Sequence, residues 1–222
     1  NDFLEKILSE NLGDHQEWFD FCKAAISEIT LIEDHEFDSK DIYVSPHQVI
    51  KKMSAILTEN DIVIPCSSGG VFSIMMQGFE QKYGQKIVTN KGLASMGYGL
   101  SGAIGASIAN PERRVVLLEG DGGFAQNIQE IGTAVSNNCN LKIFIFDDNG
   151  YASIRMTQRT YFNGRYVGCD INTGLGLPNW EALFKAWDVP VFSIDQSAFE
   201  SNEYVEELEK NGVTAFIVKI NP

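Results

Sequence analysis

Asp121 is the first residue whose type and setting suggest chemistry, because it stands in the segment EGDGGF between an apolar stretch and a helical pattern. Flanking glycines let the backbone turn sharply and approach a ligand, and a helix start presents amides and a positive dipole end to phosphate. A carboxylate beside a phosphate is repulsive unless a cation lies between them, and Mg²⁺ commonly bridges the two. The segment therefore predicts a metal-bridged phosphate site. The alternative is a tight turn in which Asp121 caps the helix.

A second group of oxygen ligands follows another apolar stretch. The segment IFIFDDNGYAS, residues 143–153, breaks from a buried-strand pattern into Asp147, Asp148 and Asn149. In open parallel sheets, ligands bind where the carboxyl ends of the strands open into loops. We therefore expect one of these side chains to complete a metal site with Asp121.

A third segment points to a different function. GYGLSG, residues 97–102, matches the G-x-G-x-x-G pattern of dinucleotide-binding proteins, and Glu119 follows Gly97 by 22 residues. That pattern should begin directly at the end of a strand, whereas NKGLASM separates the apolar IVT from Gly97. A Gly/Ala-rich helix packed closely on its neighbours is the simpler explanation. A non-catalytic Rossmann-type dinucleotide- or phosphate-binding module remains the alternative function.

The elements that must position these residues alternate along most of the chain. Helical patterns and continuous Val/Ile/Leu/Phe strands follow one another from about residue 41 onward, among them a helix that starts at Ser45 and Pro46 and an apolar strand over Ile62–Pro65. This alternation predicts an α/β fold, a doubly wound, mostly parallel sheet with helices on both faces. Single helices are expected in AQNIQEIGTAVSNN and in AFESNEYVEELEKN. Residues 1–40 are charged and weakly helical, which predicts a linker or the tail of a preceding domain, with the ligand-binding domain at 41–222.

The overall composition excludes several classes of partner. The 17 Lys and Arg residues against 30 Asp and Glu give a formal net charge of -13, which favours neither nucleic acid nor an anionic membrane surface as partner. No apolar run is long enough to span a membrane, and the first residues lack the pattern of a secretory signal. The four cysteines show no metal-binding spacing, which is typical of reduced thiols. We expect a cytoplasmic protein.

The combined motifs resemble the cofactor-binding signature of thiamine diphosphate-dependent enzymes, which reads GDG followed by NN; here the text is GDGG and then DDNGY. The segment KGLASMGYGLSGAIGASIANPERRVVLLEGDGGF is similar to the acetolactate synthase branch of that family. The resemblance covers about residues 40–222. It implies thiamine diphosphate and Mg²⁺ as cofactors. The implied activity is decarboxylation of a small-molecule 2-oxo acid with transfer or release of the resulting aldehyde unit.

The resemblance also implies the metal ligands. Asp121 would be the first ligand, Asp148, 27 residues further on, the second, and the backbone carbonyl of Gly150 the third. The asparagine pair of the family is here Asp147 and Asp148. An alternative register places Asn149 on the metal.

The residues around the cofactor follow from the same resemblance. Met96 matches the bulky residue over which the cofactor bends, although a core methionine is the alternative, and the Ala94 backbone would meet the aminopyrimidine. Arg155 lies in a segment expected near the substrate entrance, facing an anionic substrate or solvent. The residues around the diphosphate would be Ser68, Gly69, Gly70 and Val71 in a first loop, which could instead be a flexible turn, Gly120, Gly122 and Gly123 beside Asp121, and Tyr151, Ala152, Ser153 and Ile154 closing over it.

One catalytic group of the family has no counterpart here. The glutamate that protonates the aminopyrimidine lies in a separate N-terminal domain, and nothing in residues 1–222 resembles that domain. The chain is therefore expected to be the C-terminal part of a longer enzyme, without a catalytic residue of its own and inactive in isolation. The family predicts that the full-length enzyme is a homo-oligomer, a dimer or a tetramer.

Overall fold

Two compact units make up the chain, residues 1–33 and residues 34–222. The structure is a computed structural model that describes residues 2–10, 13–29, 42–66, 70–90 and 92–221. The first unit contains helices α1 (Asp2–Ser9) and α2 (Gln16–Glu28), and neither helix buries a side chain. The predicted boundary between residues 40 and 41 lies outside the described residues.

A six-stranded sheet forms the centre of the second unit. Its order is β2-β1-β3-β4-β6-β5, and every described strand pair is parallel, which confirms the α/β prediction. The strands are β1 (Ile62–Pro65), β2 (Lys86–Ile87), β3 (Val115–Gly120), β4 (Leu141–Asp147), β5 (Val191–Ile194) and β6 (Thr214–Lys219).

Helices cover both faces of the sheet, as predicted. Ile143 packs with residues of α5, α7 and α9, whereas the next residue, Phe144, packs with residues of α3, α4, α10 and α11. This alternation follows from the two-residue period of a strand, which directs successive side chains to opposite faces. The helices are α3 (Pro46–Ile56), α4 (Gly70–Gly78), α5 (Tyr98–Ala109), α6 (Asp121–Phe124), α7 (Ile131–Ser136), α8 (Ala152–Tyr161), α9 (Trp180–Lys185), α10 (Gln196–Ser201) and α11 (Val205–Leu208).

Two predicted helices are interrupted, so those predictions were wrong in detail. A 3₁₀-helix over Ala125–Glu130 precedes α7, and within it Asn127 has non-helical dihedral angles, φ -145° and ψ 32°. The Asn127 side chain donates to Ser101 Oγ at 2.5 Å, which fastens this irregular turn to α5. The second helix ends at Asn202, whose φ of 63° lies in the left-handed region that asparagine tolerates. Local polar contacts thus override the helical pattern at both places.

The sheet order creates a crevice at one end of the strands. From β1 the chain first adds β2 on one side, and β3 and the later strands then lie on the other side. Such a reversal leaves an opening at the carboxyl ends of the two diverging strands, where ligands bind in doubly wound folds. The loops that follow β3 and β4 carry Asp121 and Asp148 and open at this edge. Among the described residues, none of the helices has the length and apolarity needed to cross a membrane.

Candidate cofactor and metal site

A cavity of about 270 Å³ lies among the loops that follow β1, β3 and β4. Its wall includes most of the residues predicted to hold a cofactor. The residues that line it are Pro46, Gly70, Val71, Met96, Gly120, Asp121, Gly122, Gly123, Phe146, Asp148, Gly150, Tyr151, Ala152, Ser153, Ile154, Ile220 and Asn221. Ser68 and Gly69 lie outside the described residues.

Asp121 begins α6 immediately after β3, and its side chain is 1% exposed. The pairing of Gly120 with Phe146 in the sheet register brings this turn beside the end of β4. The amide of Gly122 donates to Asp121 Oδ1 at 2.6 Å, and the amide of Gly150 donates to Oδ2 at 3.0 Å. The carboxylate therefore connects the two loops that the sequence placed around a metal.

Asp148 follows β4, lines the same cavity and is 7% exposed. Its Oδ1 accepts a hydrogen bond from Arg155 Nη2 at 2.6 Å. Arg155 was expected to face a substrate or solvent, and the structure instead pairs it with this carboxylate. The pairing escaped sequence analysis because it depends on how α8 leaves the loop.

The two buried carboxylates influence each other. Burial, followed by repulsion from Asp148, raises the pKa of Asp121 to about 8. Burial also raises the pKa of Asp148, although the hydrogen bond and charge of Arg155 act in the opposite direction. A divalent cation between the two groups would relieve this repulsion. Its positive charge would also stabilise the ionised form of both carboxylates, which burial disfavours. The donor set, hard carboxylate oxygens, fits Mg²⁺.

A cation at this position would need further ligands. In the part of the chain that the structure describes, no group of three or more His, Cys, Asp or Glu side chains is arranged to hold a metal ion. Two carboxylates would therefore have to be joined by backbone oxygens, phosphate oxygens or water, as is usual for Mg²⁺.

Asn149, the alternative ligand, differs in its surroundings. It is exposed and is not part of the cavity wall, whereas Asp148 and Gly150 on either side are buried. Its φ of 60° places it in the left-handed region, and its backbone N–H donates a hydrogen bond to Asp147 Oδ1 at 3.4 Å. The loop thus turns at Asn149 and directs the residue before it into the cavity.

Glycines at two positions allow the close contacts of the site. A Cβ atom at Gly122 would lie 2.2 Å from the ring of Tyr151, which packs over the turn and accepts a hydrogen bond from Gln126 Nε2 through its hydroxyl at 2.9 Å. At Gly150, φ is 153° and a Cβ would lie 2.1 Å from the carbonyl oxygen of Cys169. Side chains are therefore excluded at both positions by backbone or ring contacts.

Met96 lies in the cavity wall with 40% of its surface exposed, so it is not a core methionine. Ala94, two residues earlier, has a φ of 50°, which is a strained conformation for alanine. Ala94 does not itself line the cavity. The loop before α5 therefore presents an exposed thioether side chain at the mouth of the site.

The GYGLSG segment serves helix packing. Gly97 precedes α5, and β2 ends at Ile87, ten residues earlier. A Cβ at Gly99 would lie 2.3 Å from Glu119 Oε2 and 2.9 Å from the Cβ of Cys66, both buried. Gly99 thus lets α5 approach the ends of β1 and β3 closely, as the simpler explanation predicted.

Some residues that line the cavity belong to no motif that the sequence analysis could recognise. Pro46 was read only as a helix start, and it reaches the cavity because Val44 N donates to Lys219 O at 2.8 Å beside the last strand. Ile220 and Asn221 line the cavity because they follow β6, whose carboxyl end lies next to β4. Only the strand order places these segments together.

This combination of a doubly wound sheet and a cavity with two buried carboxylates agrees with a comparison against known families. The family model described as "Thiamine pyrophosphate enzyme, C-terminal TPP binding domain" matches residues 68–218, more than half of the chain. The chain belongs to this family of thiamine diphosphate-binding domains.

Within the family, the chain is similar to acetolactate synthases. It is 30% identical over 174 residues to the probable acetolactate synthase large subunit of Methanococcus aeolicus, covering 77% of this chain and 28% of the relative. It is 39% identical over 82 residues to the acetolactate synthase isozyme 2 large subunit of Escherichia coli (strain K12), covering 37% of this chain and 15% of the relative. The chain thus spans about a quarter or less of the length of these relatives.

A solved structure supports the fold assignment. The thiamine diphosphate-dependent 4-hydroxybenzoylformate decarboxylase of Rhodococcus jostii RHA1 superposes with a TM-score of 0.70 at 20% identity, covering 82% of this chain and 34% of that chain. At this identity the likeness establishes the architecture alone. The chain is therefore a member of the family of thiamine diphosphate-binding domains, built on this fold and similar in sequence to part of the acetolactate synthases.

Proposed function

We propose that this chain binds thiamine diphosphate together with Mg²⁺ and provides the diphosphate-binding half of an active site. The reaction would be decarboxylation of a 2-oxo acid with transfer or release of the aldehyde unit. The observation that carries the proposal is the placement of Asp121 and Asp148, both buried, in the wall of one cavity at the carboxyl ends of β3 and β4. Thiamine diphosphate, when bound, supplies the carbanion-stabilising chemistry.

The residues of this chain would hold and orient the cofactor. The amides at the start of α4, from Gly70 and Val71, favour an anionic group such as a diphosphate. Gly120, Gly122 and Gly123 line the cavity beside Asp121, and Gly120 leaves the backbone open to close approach. Tyr151 would shield the diphosphate from water, together with Ala152, Ser153 and Ile154.

We propose Asp121 and Asp148 as the side-chain ligands and the carbonyl of Gly150 as a backbone ligand. The burial of Asp148 in the cavity wall, beside an exposed Asn149 outside it, favours Asp148 over the alternative register. The contact between Gly150 N and Asp121 Oδ2 at 3.0 Å supports a shared site for the three residues.

Met96 is proposed to support the bent cofactor through its exposed side chain. Met96→Ala is expected to weaken thiamine diphosphate binding about tenfold while lowering the free energy of unfolding by no more than about 1 kcal/mol, because 40% of the residue is exposed and it belongs to neither core cluster. Met75→Ala is the matched control, since Met75 is 0% exposed and its truncation should cost about 2–5 kcal/mol. Calorimetric titration and urea unfolding measure the two effects. A stability loss at Met96 equal to that at Met75 would show that Met96 is a core residue.

Calorimetric titration of thiamine diphosphate into the chain, with Mg²⁺ and then with a chelator, tests the proposed function. Binding is expected only with the metal, because the phosphates would otherwise meet two carboxylates. Metal-independent binding of NAD would instead favour a Rossmann-type dinucleotide module. That outcome is disfavoured by the use of the GYGLSG glycines in helix packing.

Catalysis by this chain alone is not expected. The family glutamate that protonates the cofactor belongs to another domain, and the residues of this cavity, among those described, offer carboxylates only as proposed metal ligands. A pyruvate decarboxylation and acetolactate assay with the cofactor-loaded chain should show no turnover. Activity and subunit arrangement are proposed for a longer, homo-oligomeric cytoplasmic enzyme.

A further inference from the structure

Arg155 makes two contacts with Asp148 through a single nitrogen. Nη2 donates to Asp148 Oδ1 at 2.6 Å and to the backbone oxygen of Asp148 at 3.0 Å. Both side chains are largely buried, with 16% of Arg155 and 10% of Asp148 exposed. Charge-assisted hydrogen bonds of this length are strong and restrict the relative orientation of the two groups. The orientation of the Asp148 carboxylate is therefore tied to the position of the guanidinium.

The guanidinium is itself held from a second direction. Arg155 Nη1 points to the carbonyl oxygen of Cys169 at 3.4 Å, and the same oxygen accepts a hydrogen bond from Tyr151 N at 2.8 Å. Gly150 pairs with Asp170 in an isolated antiparallel bridge, and a Cβ at Gly150 would lie 2.6 Å from Nη1. The backbone of Gly150 and Cys169 thus shapes a space for this guanidinium.

The positive charge of Arg155 gives it an electrostatic role in addition to its hydrogen bonds. Asp121 and Asp148 place two buried carboxylates in the wall of one cavity, where charges interact strongly and phosphates would be repelled. The positive charge of Arg155 offsets one of the two. Its bond to Oδ1 also leaves Oδ2 as the oxygen that remains for a cation.

We propose that Arg155 is a positioning residue of the metal site, which orients Asp148 and balances its charge so that a diphosphate and its cation are accepted together. This inference rests on the proposed function. Residues that hydrogen-bond to a metal ligand typically lower the metal affinity about 10- to 100-fold when they are substituted. Arg155 would act through Asp148 and not by touching the cofactor.

Five variants of the chain, among them the single variant Asp148→Asn, test the inference by calorimetric titration of thiamine diphosphate in Mg²⁺. Arg155→Met keeps length without charge and is expected to raise Kd by about ten- to one-hundredfold. Arg155→Lys keeps the charge without the two-sided contact and should fall between. In the Asp148→Asn background the carboxylate that pairs with Arg155 is absent, so adding Arg155→Met should change Kd by less than about threefold. Arg159→Met, an exposed arginine one turn along α8, is the matched control and should bind like the parent.

The cycle separates the inference from the proposed function. If the parent chain does not bind with Mg²⁺, the proposed function fails and the inference fails with it. The inference alone is overturned if the parent binds but Arg155→Met leaves Kd unchanged. It is also overturned if Arg155→Met raises Kd by the same factor in the parent and in the Asp148→Asn background. Thermal unfolding in metal-free buffer provides a second reading. Should Arg155→Met fail to fold, recovery of folding in D148N/R155M supports the pairing, and failure of that variant to fold overturns it.

Discussion

Asp121→Ala is expected to abolish binding of thiamine diphosphate in Mg²⁺, a loss of at least about a hundredfold or roughly 3 kcal/mol. The substitution removes the proposed first metal ligand, and without the ion the diphosphate meets Asp148 directly. It also removes a buried carboxylate whose pKa is raised to about 8, so part of the cost of losing its two hydrogen bonds is offset. Calorimetric titration measures the binding, and the circular dichroism spectrum verifies the fold.

Asn149→Gly provides the control for this prediction. Glycine adopts the left-handed conformation of residue 149 without strain, so the loop should keep its course. Asn149 is exposed and outside the cavity wall, and we expect this variant to bind like the parent. Loss of binding in Asn149→Gly would assign the ligand to Asn149. Unchanged binding in Asp121→Ala would contradict the metal site itself.

Gly99→Ala should destabilise the domain by about 3 kcal/mol, the upper end of the cost of inserting a methyl group into a packed contact. The new Cβ would lie 2.3 Å from Glu119 Oε2, 2.8 Å from its Cδ and 2.9 Å from Cys66 Cβ. Both neighbours are buried at the ends of β3 and β1, so α5 must move away from the sheet. Urea unfolding followed by circular dichroism measures the change.

Gly105→Ala is the matched control in the same helix. Nothing lies within 4 Å of a Cβ built at Gly105, and alanine is favoured over glycine in a helix by up to about 1 kcal/mol. We expect this variant to be as stable as the parent or more so. Equal stability of the Gly99 and Gly105 variants would show that α5 can shift without cost, which would contradict the packing described for the glycine pattern.

Much of the sheet was predictable because its inner strands, β1, β3, β4 and β6, are buried on both faces. The apolar run Ile62–Pro65 was predicted as a strand with the bounds that the structure gives it. The interruption at Asn127 was not predictable, because it depends on a hydrogen bond to Ser101 of another helix. The spacing of apolar residues indicates which face of a helix or strand is buried. It does not indicate which polar group, distant in sequence, will interrupt that helix.

The candidate site divides in the same way. The proximity of Asp121 and Asp148 could be anticipated because both follow strands, and the register confirms it by pairing Gly120 with Phe146. The bond between Arg155 and Asp148 joins residues seven apart across the end of β4 and the start of α8. Its existence depends on the direction in which the loop turns at Asn149, which side-chain type and spacing do not encode.

The separation of the apolar core into two clusters, one on each face of the sheet, bears on how proteins of this kind can diverge. Ile143 and Phe144 anchor different clusters, while the cavity is built from loops beyond the ends of the strands. Exposed wall residues that belong to neither cluster, such as Met96 and Ile154, can therefore be exchanged with little effect on the core. The wall is constrained where Gly122 and Gly150 admit no side chain, as α5 is constrained at Gly99 where helix and sheet touch.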